Sequence, residues 1–460
     1  MRGVEGTLGA AREAFFDPVL RLGVTGLSRA GKTVFITSLV ANLIARGRMT
    51  GLTAARQGRI LTAYLQPQPD DTIPRFDFER YLDAMTGPDA HWPEGTTGIS
   101  ELRLSLRVAQ TGVLAGVRGP RVLHLDIIDY PGEWLLDLSL MSKSFEDWSR
   151  DVLARAEGRE IAGDFMAALE AFDAAAPFQE QPAKGLAAAY TDYLRAARRA
   201  GFSDCTPGRF LLPGEMAGSP ALTFAPLPDA DYPRGSMGRE FARRFEAYKR
   251  EVVRPFFRDH FARIDRQIVL MDVLGAIHAG PRAVEDLRLA MSDTLQAFRP
   301  GTNSWLLPLL RGRRVEKILF AATKADHLHH VQHAELTAIT TALLADARSR
   351  ADFAGAETRA MSLASLRATT ETEIERGGRT LHAVQGKLAE TGKEAAFYPG
   401  RLPEDPSHLL APARQGAEGW LDADYGIMTF APRPVTLKPG DGPPHIRLDA
   451  AAEFLIGDKL

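Results

Sequence analysis

Apolar residues follow two rhythms along this chain, and the switches between them mark its elements. Residues 19–25, VLRLGVT, form a short apolar run that predicts a strand, and a glycine-rich turn follows directly. Residues 34–46, VFITSLVANLIAR, have the apolar density of a buried helix. The stretch 47–98 is rich in Gly, Pro, Asp and Thr and reads mostly as loop. ELRLSLRV at 101–108 alternates with period two, as a half-buried strand does, and RVLHLDIID at 121–129 predicts a strand buried near its end. From residue 140 to about 261 alanine-rich helical segments dominate. Within that block a Pro/Gly-rich stretch, 202–238, precedes one long helix. Phe241, Phe245, Tyr248, Val252 and Phe256 share one stripe of it, and Pro255 is expected to kink it. Alternation then resumes. QIVLMDVL (267–274) and VEKILFAAT (315–323) predict buried strands, ETRAMSLA (357–364) a weaker one, and 281–298 and 331–350 predict helices. Residues 377–447 are proline-rich with a hairpin expected around Thr391 and Gly392, and 448–456 form a short closing helix.

Alternation of this kind implies crossover connections and a mainly parallel sheet covered on both faces. The expected fold class is α/β. Its organisation reads as 1–139 for the first part of the sheet domain, 140–262 for an inserted α-helical domain, 263–375 for the second part, and 376–460 for a small β-containing C-terminal segment with its closing helix. A length of 460 residues, 45% apolar and 25% charged, suits a soluble globular protein with no need of metal or disulfide staples. The formal net charge of −2 removes global basicity as a pointer to nucleic acid, and none is expected as a partner. Cys205 is the single cysteine, which excludes an intramolecular disulfide and fits a reducing compartment. Glu5, Glu13 and Asp17 interrupt the first residues, so they do not read as a secretory signal. No window of about 18 apolar residues occurs, so a membrane span is not expected either. The expected location is cytoplasmic.

Three motifs carry chemistry. Gly26-Leu27-Ser28-Arg29-Ala30-Gly31-Lys32-Thr33 fits G-x-x-x-x-G-K-[ST], with a strand before it and a helix after it. Glycines let such a loop wrap a polyphosphate with its backbone N–H groups pointing inward, and the helix adds its positive N-terminal end. The nucleotide-binding set expected here is Gly26, Ser28, Arg29, Ala30, Gly31, Lys32, Thr33 and Val34. Lys32 would neutralise the β and γ oxygens, and the Thr33 hydroxyl would bind Mg²⁺. Asp129-Tyr130-Pro131-Gly132 ends a buried strand. Asp129 there can hold Mg²⁺ through water, and the Gly132 N–H can approach a γ-phosphate. The pattern is weak alone, since a solvated aspartate opening a turn has the same spelling. Thr323-Lys324-Ala325-Asp326 matches [NT]-K-x-D. Guanine presents N1–H and N2–H₂ along one edge, and the Asp326 carboxylate would accept both; adenine offers no such pair. Lys324 would lay its stem along the nucleotide. The competing reading is a helix-capping aspartate beside an exposed lysine.

In chain order these signals resemble the P-loop GTPases of the translation-factor-related class, over the segments before Leu140 and from 267 to about 367. The fuller arrangement looks like the YcjX family of bacterial stress-inducible GTP-binding proteins, on GLSRAGKTVFITSL, HWPEGTTGISELRL, DYPGEWLLDL, TKADH and the terminal FLIGDKL. The resemblance implies a P-loop NTPase domain interrupted by the helical insertion. It implies Mg²⁺-dependent hydrolysis of GTP to GDP, used as a switch in stress response. It also implies Thr96 as the switch threonine closing over Mg²⁺ and the γ-phosphate, with Thr97 as the alternative. Ser365 and Leu366 become the guanine-side loop, although ASLR only loosely matches S-A-[KL]. A homodimer stays open, as does a membrane-associated partner engaged through the insertion, which would place the chain at the periphery of the inner membrane.

Two residues bear on hydrolysis. Many GTPases place a glutamine directly after D-x-x-G; here Glu133 stands there, and a carboxylate beside a γ-phosphate adds repulsion unless a cation or proton offsets it. GLSRAGKT also resembles the phosphate loop of guanylate-binding proteins, where an arginine folds over the phosphates in cis. On that resemblance Arg29 is an internal arginine finger, set against the plainer reading of a solvent-exposed side chain. Glu133 keeps a non-hydrolysing GDP/GTP-binding scaffold in view as a rival, and an ATPase is a second. His329 and His333 are four apart and could share a helical face as metal ligands, but no third ligand is identifiable and polar positions opening a helix are the favoured reading. The basic, aromatic helix over 239–263 reads as a core stripe with a solvated charged face, and a membrane-surface or partner helix is the alternative.

Overall fold

The computed structural model of the protein describes residues 18–26, 30–95, 98–111, 119–260, 263–296, 315–345, 356–420 and 425–460. The first strand, β1 (Val19–Gly26), is followed by helix α1 (Lys32–Ala45). Strand β2 (Ile60–Gln66), helix α2 (Phe78–Thr86), strand β3 (Ser100–Val108) and strand β4 (Arg121–Asp129) come next. A short helix, α3 (Gly132–Leu136), leads into the helical block: α4 (Phe145–Glu157), α5 (Gly163–Glu170), α6 (Glu180–Arg199), α7 (Met237–Tyr248) and α8 (Arg254–Asp259). The sheet resumes with β5 (Arg266–Met271), helices α9 (Val273–Ala279) and α10 (Pro281–Gln296), β6 (Lys317–Ala322), α11 (His333–Leu343) and β7 (Glu357–Ser362). Strands β8 (Thr370–Arg376), β9 (Arg379–Lys387) and β10 (Glu394–Phe397), helix α12 (Ser407–Arg414) and helix α13 (Leu448–Ile456) complete the chain.

Seven strands form one sheet in the order β2-β3-β4-β1-β5-β6-β7. β4, β1, β5, β6 and β7 run parallel to one another, and β2 and β3 pair antiparallel at one edge. The expected α/β class with a mainly parallel sheet is what the chain adopts. Period-two alternation sends successive residues of the buried strands to opposite faces. Ile268 and Leu270 of β5 join one core with Leu319 of β6, Phe35 and Leu39 of α1, and Leu448 and Leu455 of α13. Val269 and Met271 join the other with Phe320 of β6, Leu287 of α10, Leu336 of α11 and Leu409 of α12. Helices cover both faces, which is why these strands read as continuous apolar runs.

The helical block between β4 and β5 has its own aromatic core. Trp148 stacks on Phe245 at a centroid distance of 5.0 Å and meets Phe224 edge-on at 5.5 Å. Ile128 and Tyr130 from the end of β4 belong to the same cluster, so this core is continuous with the edge of the sheet. The stripe Phe241, Phe245, Tyr248, Val252 and Phe256 is buried, which takes that apolar face away from any membrane surface. Lys249–Val253 forms a π turn within the run, and α8 continues directly from it with helical backbone on both sides, so Pro255 stands just after the π turn.

Two segments hold elements that the sequence reading does not name. The stretch 47–98 is mostly loop, as expected, but it also contains β2 and α2. β2 is an edge strand with only Ile60 fully buried, and α2 buries only Phe78 and Met85, so neither carries a strong apolar rhythm. A second, three-stranded antiparallel sheet, β10-β9-β8, begins at Thr370 and extends into the proline-rich C-terminal region. Its β9–β10 hairpin turns at Gly392 as expected, with φ at 68°, but the β8–β9 hairpin at Gly377 and Gly378 was not foreseen. Among the described residues no helix is long and apolar enough to cross a membrane.

Candidate functional site

Parallel strands end at one edge, and α/β sheets bind ligands outside that carboxyl edge, where neighbouring connections diverge. β1 lies between β4 and β5 and ends at Gly26, which pairs with Leu270 of β5. Ser28 and Arg29 lie outside the described residues. Ala30 is buried, and Gly31 takes a left-handed conformation, φ 78° and ψ 34°, as the cap of α1. A side chain there would be strained by the backbone alone, and the space beside Gly31 where a Cβ would stand is open. Gly31 accepts from the Phe35 N–H at 2.9 Å, which starts the helix. Lys32 and Thr33 therefore occupy the first turn of α1, Lys32 and Val34 half-buried and Thr33 buried. Thr33 is fixed through its carbonyl, which accepts from the Thr37 hydroxyl at 2.8 Å.

Asp129 stands at the tip of β4 in register with Val24 of β1. Its carboxylate is buried, as is Gly132, three residues on. Thr33 and Asp129 offer hydroxyl and carboxylate oxygens, the hard donors that Mg²⁺ takes, so these residues fit the ion. Thr96 and Thr97 lie outside the described residues.

Thr323 follows β6 and donates its N–H to the Met271 carbonyl at 2.9 Å. Lys324 adopts a left-handed φ of 60°, and its ammonium pairs with the Asp272 carboxylate at the end of β5. Asp272 also caps α9, accepting from the Gly275 N–H at 2.9 Å. Asp326 is buried and accepts the Ala368 N–H at 2.9 Å through Oδ2, and its carbonyl accepts from the Thr369 hydroxyl. Ser365 and Leu366, buried on the connection after β7, thus belong to a loop whose next residues are bonded to Asp326. The Ala325 N–H donating to the Leu363 carbonyl at 3.1 Å adds a second tie between the two connections.

Glu133 points toward the helical block. Its carboxylate is buried and lies 3.0 Å from the Arg198 guanidinium at the end of α6. Trp134 donates from Nε1 to the Leu212 carbonyl at 3.1 Å, and the Arg209 guanidinium stacks 3.2 Å from its ring centroid. A Cβ on Gly208 would come within 2.1 Å of the Glu133 carbonyl oxygen, so only glycine lets the two backbones meet. Asp137 accepts from the Gly208 N–H at 2.7 Å and from the Tyr248 hydroxyl. The turn after β4 is thereby fastened to three parts of the helical block. Asp272, Arg198 and Asp137 were missed in the sequence. Asp272 left a trace as an aspartate closing an apolar run, whereas the partners of Arg198 and Asp137 are set by tertiary structure alone.

A mainly parallel α/β sheet gathers the candidate residues of three separated motifs at one edge, and likenesses to known proteins narrow the class. The YcjX-like family, DUF463, matches residues 20–460, and the chain belongs to that family. It is 39% identical over 478 aligned residues to the Ras-like GTPase YcjX of Escherichia coli (strain K12), covering 100% of both chains. It is 33% identical over 471 residues to the Ras-like GTPase YcjX of Shewanella oneidensis, covering 96% of this chain and 95% of that one.

Burial pushes the Asp137 carboxyl up to about 7, against the opposing pull of the Tyr248 hydroxyl and the Gly208 N–H. Its ordinary value is 3.8, so between about pH 4 and pH 7 the folded state holds a proton that the unfolded chain has released. This contribution therefore favours the fold at low pH and is lost as pH rises through that window. Asp137→Asn should abolish it. Urea midpoints measured across the window should fall for the parent relative to the variant and then run parallel above about pH 7, whereas a constant offset would show that Asp137 does not titrate there.

Proposed function

We propose that this protein is a guanine-nucleotide switch that binds GTP and hydrolyses it to GDP and phosphate with Mg²⁺. The observation that carries the reading is the left-handed Gly31 turn at the head of α1, one strand from Asp129 and on the same sheet edge as Asp326. The Ras-like GTPase names of the two relatives support it. Lys32 neutralises the β and γ oxygens, backbone N–H groups from Gly26 through Val34 ring the phosphates, and Gly132 faces the γ-phosphate. Thr33 and Asp129 hold Mg²⁺ with Thr96, and the ion supplies charge neutralisation at the phosphates. Asp326 reads the guanine edge, with Ser365 and Leu366 on its far side, while Thr323 and Lys324 steady the loop. Arg29 acts as the arginine finger. The family resemblance carries the proposal of a cytoplasmic, stress-related role. Purified protein should release phosphate from GTP only with Mg²⁺, leave ATP untouched, and lose turnover by about 100-fold or more in Lys32→Ala. No calorimetric heat on titrating GDP or GTP with Mg²⁺ would refute the reading.

The base assignment makes a separate demand. In Asp326→Asn the side-chain carbonyl still accepts the Ala368 N–H, and the amide then presents a donor where the carboxylate accepted. Affinity should move from guanine to xanthine nucleotides, measured by displacement of a fluorescent GDP analogue; undiminished guanine affinity would remove Asp326 from this role.

The pairing of Glu133 with Arg198 favours a specific mode of signalling and also keeps the non-hydrolysing scaffold as a second reading. Arg198 neutralises a carboxylate that follows directly on the γ-phosphate contact, and it does so from the helical block. Nucleotide state is thus linked to the insertion through α3, where a homodimer or membrane-associated partner would read it. Arg198→Ala should leave GDP affinity near its parent value and weaken GTP about 10-fold, because the Glu133 charge, no longer neutralised, repels the additional phosphate. Equal effects on both nucleotides in competition titrations would break that link.

A further inference from the structure

The sequence places four histidines between residues 327 and 333, and the fold separates them by role. His333, the expected helical partner of His329, turns inward, where Nε2 lies 2.8 Å from the Ala325 carbonyl and 3.3 Å from that of Leu328. It serves the backbone of the connection after β6, so the pair spaced by four is not the one that meets. His329 and His330 instead both face Glu371, the second residue of β8. The Glu371 Oε2 lies 2.8 Å from His330 Nδ1 and 3.8 Å from His329 Nε2. The ligand atoms of all three residues fall within 4.8 Å of one another.

We propose that His329, His330 and Glu371 form a binding site for a divalent transition metal, separate from the phosphate loop and its Mg²⁺. Metal–nitrogen and metal–oxygen bonds of about 2.1 Å in a tetrahedron place neighbouring ligand atoms about 3.4 Å apart. The observed 2.8 and 3.8 Å bracket that spacing, so small side-chain adjustments close the site. Two imidazoles with one carboxylate suit Zn²⁺, Co²⁺ or Ni²⁺ and discriminate against Mg²⁺ and Ca²⁺, which take oxygen. His329 is 8% exposed and held in orientation, while His330 lies at the surface and leaves an approach open. Ligation through His329 Nε2 gives up only the Val331 N–H contact to Nδ1, already long at 3.5 Å. The His382 ring stacks on His329 at 4.7 Å, beside Glu373, and shares the face of β8 and β9 with Glu371. Arg367 lies 3.5 Å from the other Glu371 oxygen and orients the carboxylate from behind.

A metal here would join the connection after β6 to the start of β8. His329 is three residues past Asp326, and Glu371 is two past Thr369, whose hydroxyl bonds Asp326. The ion would lock the two loops that frame the base; that consequence rests on the base assignment, and the metal site itself does not.

The test is a visible-absorption titration of the tag-free full chain with Co²⁺, without nucleotide, followed by Zn²⁺ displacement. One equivalent should bind with the intense bands of a four-coordinate ion, and Zn²⁺ should bleach them. Glu371→Gln, nearly isosteric, and His330→Ala, at an exposed ring, should each weaken Co²⁺ by about 100-fold or more while leaving the circular dichroism spectrum unchanged. His408→Ala, at an exposed histidine outside this cluster, should bind Co²⁺ as the parent does. Absence of a saturable one-equivalent phase, or Co²⁺ binding undiminished in both site variants, would overturn the proposal. Because no nucleotide is present, neither outcome depends on whether guanine nucleotides bind.

Discussion

β1 is hydrogen-bonded along both sides, to β4 and to β5, and what stands near its last residue depends on that grip. A strand paired on both sides cannot slip register without breaking two ladders, so the point where the chain leaves the sheet is fixed. From there the left-handed Gly31 turns the backbone into α1 and sets Lys32 and Thr33 in its first turn. Asp129 is brought close because β4 is the neighbouring strand, and the Asp326 connection lies one strand beyond β5. The nucleotide site proposed here is a property of strand order before it is a property of side chains.

The other side of that arrangement is the turn after β4. Glu133, Trp134 and Asp137 each find a partner in the helical block, through an ion pair, a carbonyl and a shared hydroxyl. The Gly208 and Glu133 backbones approach so closely that a side chain on Gly208 has no room. Phe210, two residues on, belongs to the aromatic core of the block, so the turn after β4 and that core are joined through one short segment. Close-packed interiors of this kind have low compressibility.

Much of this was legible in the residues. The buried strands β1, β4, β5 and β6 announced themselves as apolar runs, and α13 was delimited from 448 to 456 by its apolar density. The three nucleotide motifs were visible because each is a local spelling, and the fold explains their chain order by bringing them to one sheet edge. What escaped was long-range or half-exposed. β2 shows one buried residue and no convincing alternation, and the strand beginning at Thr370 is mostly polar. Arg198 looked like any basic residue at a helix end until the structure set it 65 residues away in sequence against Glu133. The histidines misled for a related reason. Helical spacing paired His329 with His333, but the segment opens with a 3₁₀ turn at His330–Gln332, which sends His333 inward and leaves its neighbours together.

The fully buried Arg266, in the first position of β5, ties a central strand to the helix that covers it. Its guanidinium is met by Glu316, by Asp458 and by the carbonyls of Leu455 and Asp265, so α13 and the turn after it supply two of its four partners. Burying a cation without such partners is costly. The middle of the sheet is thus neutralised from outside its own strands, and the seating of residues 448–458 and the integrity of β5 stand or fall together.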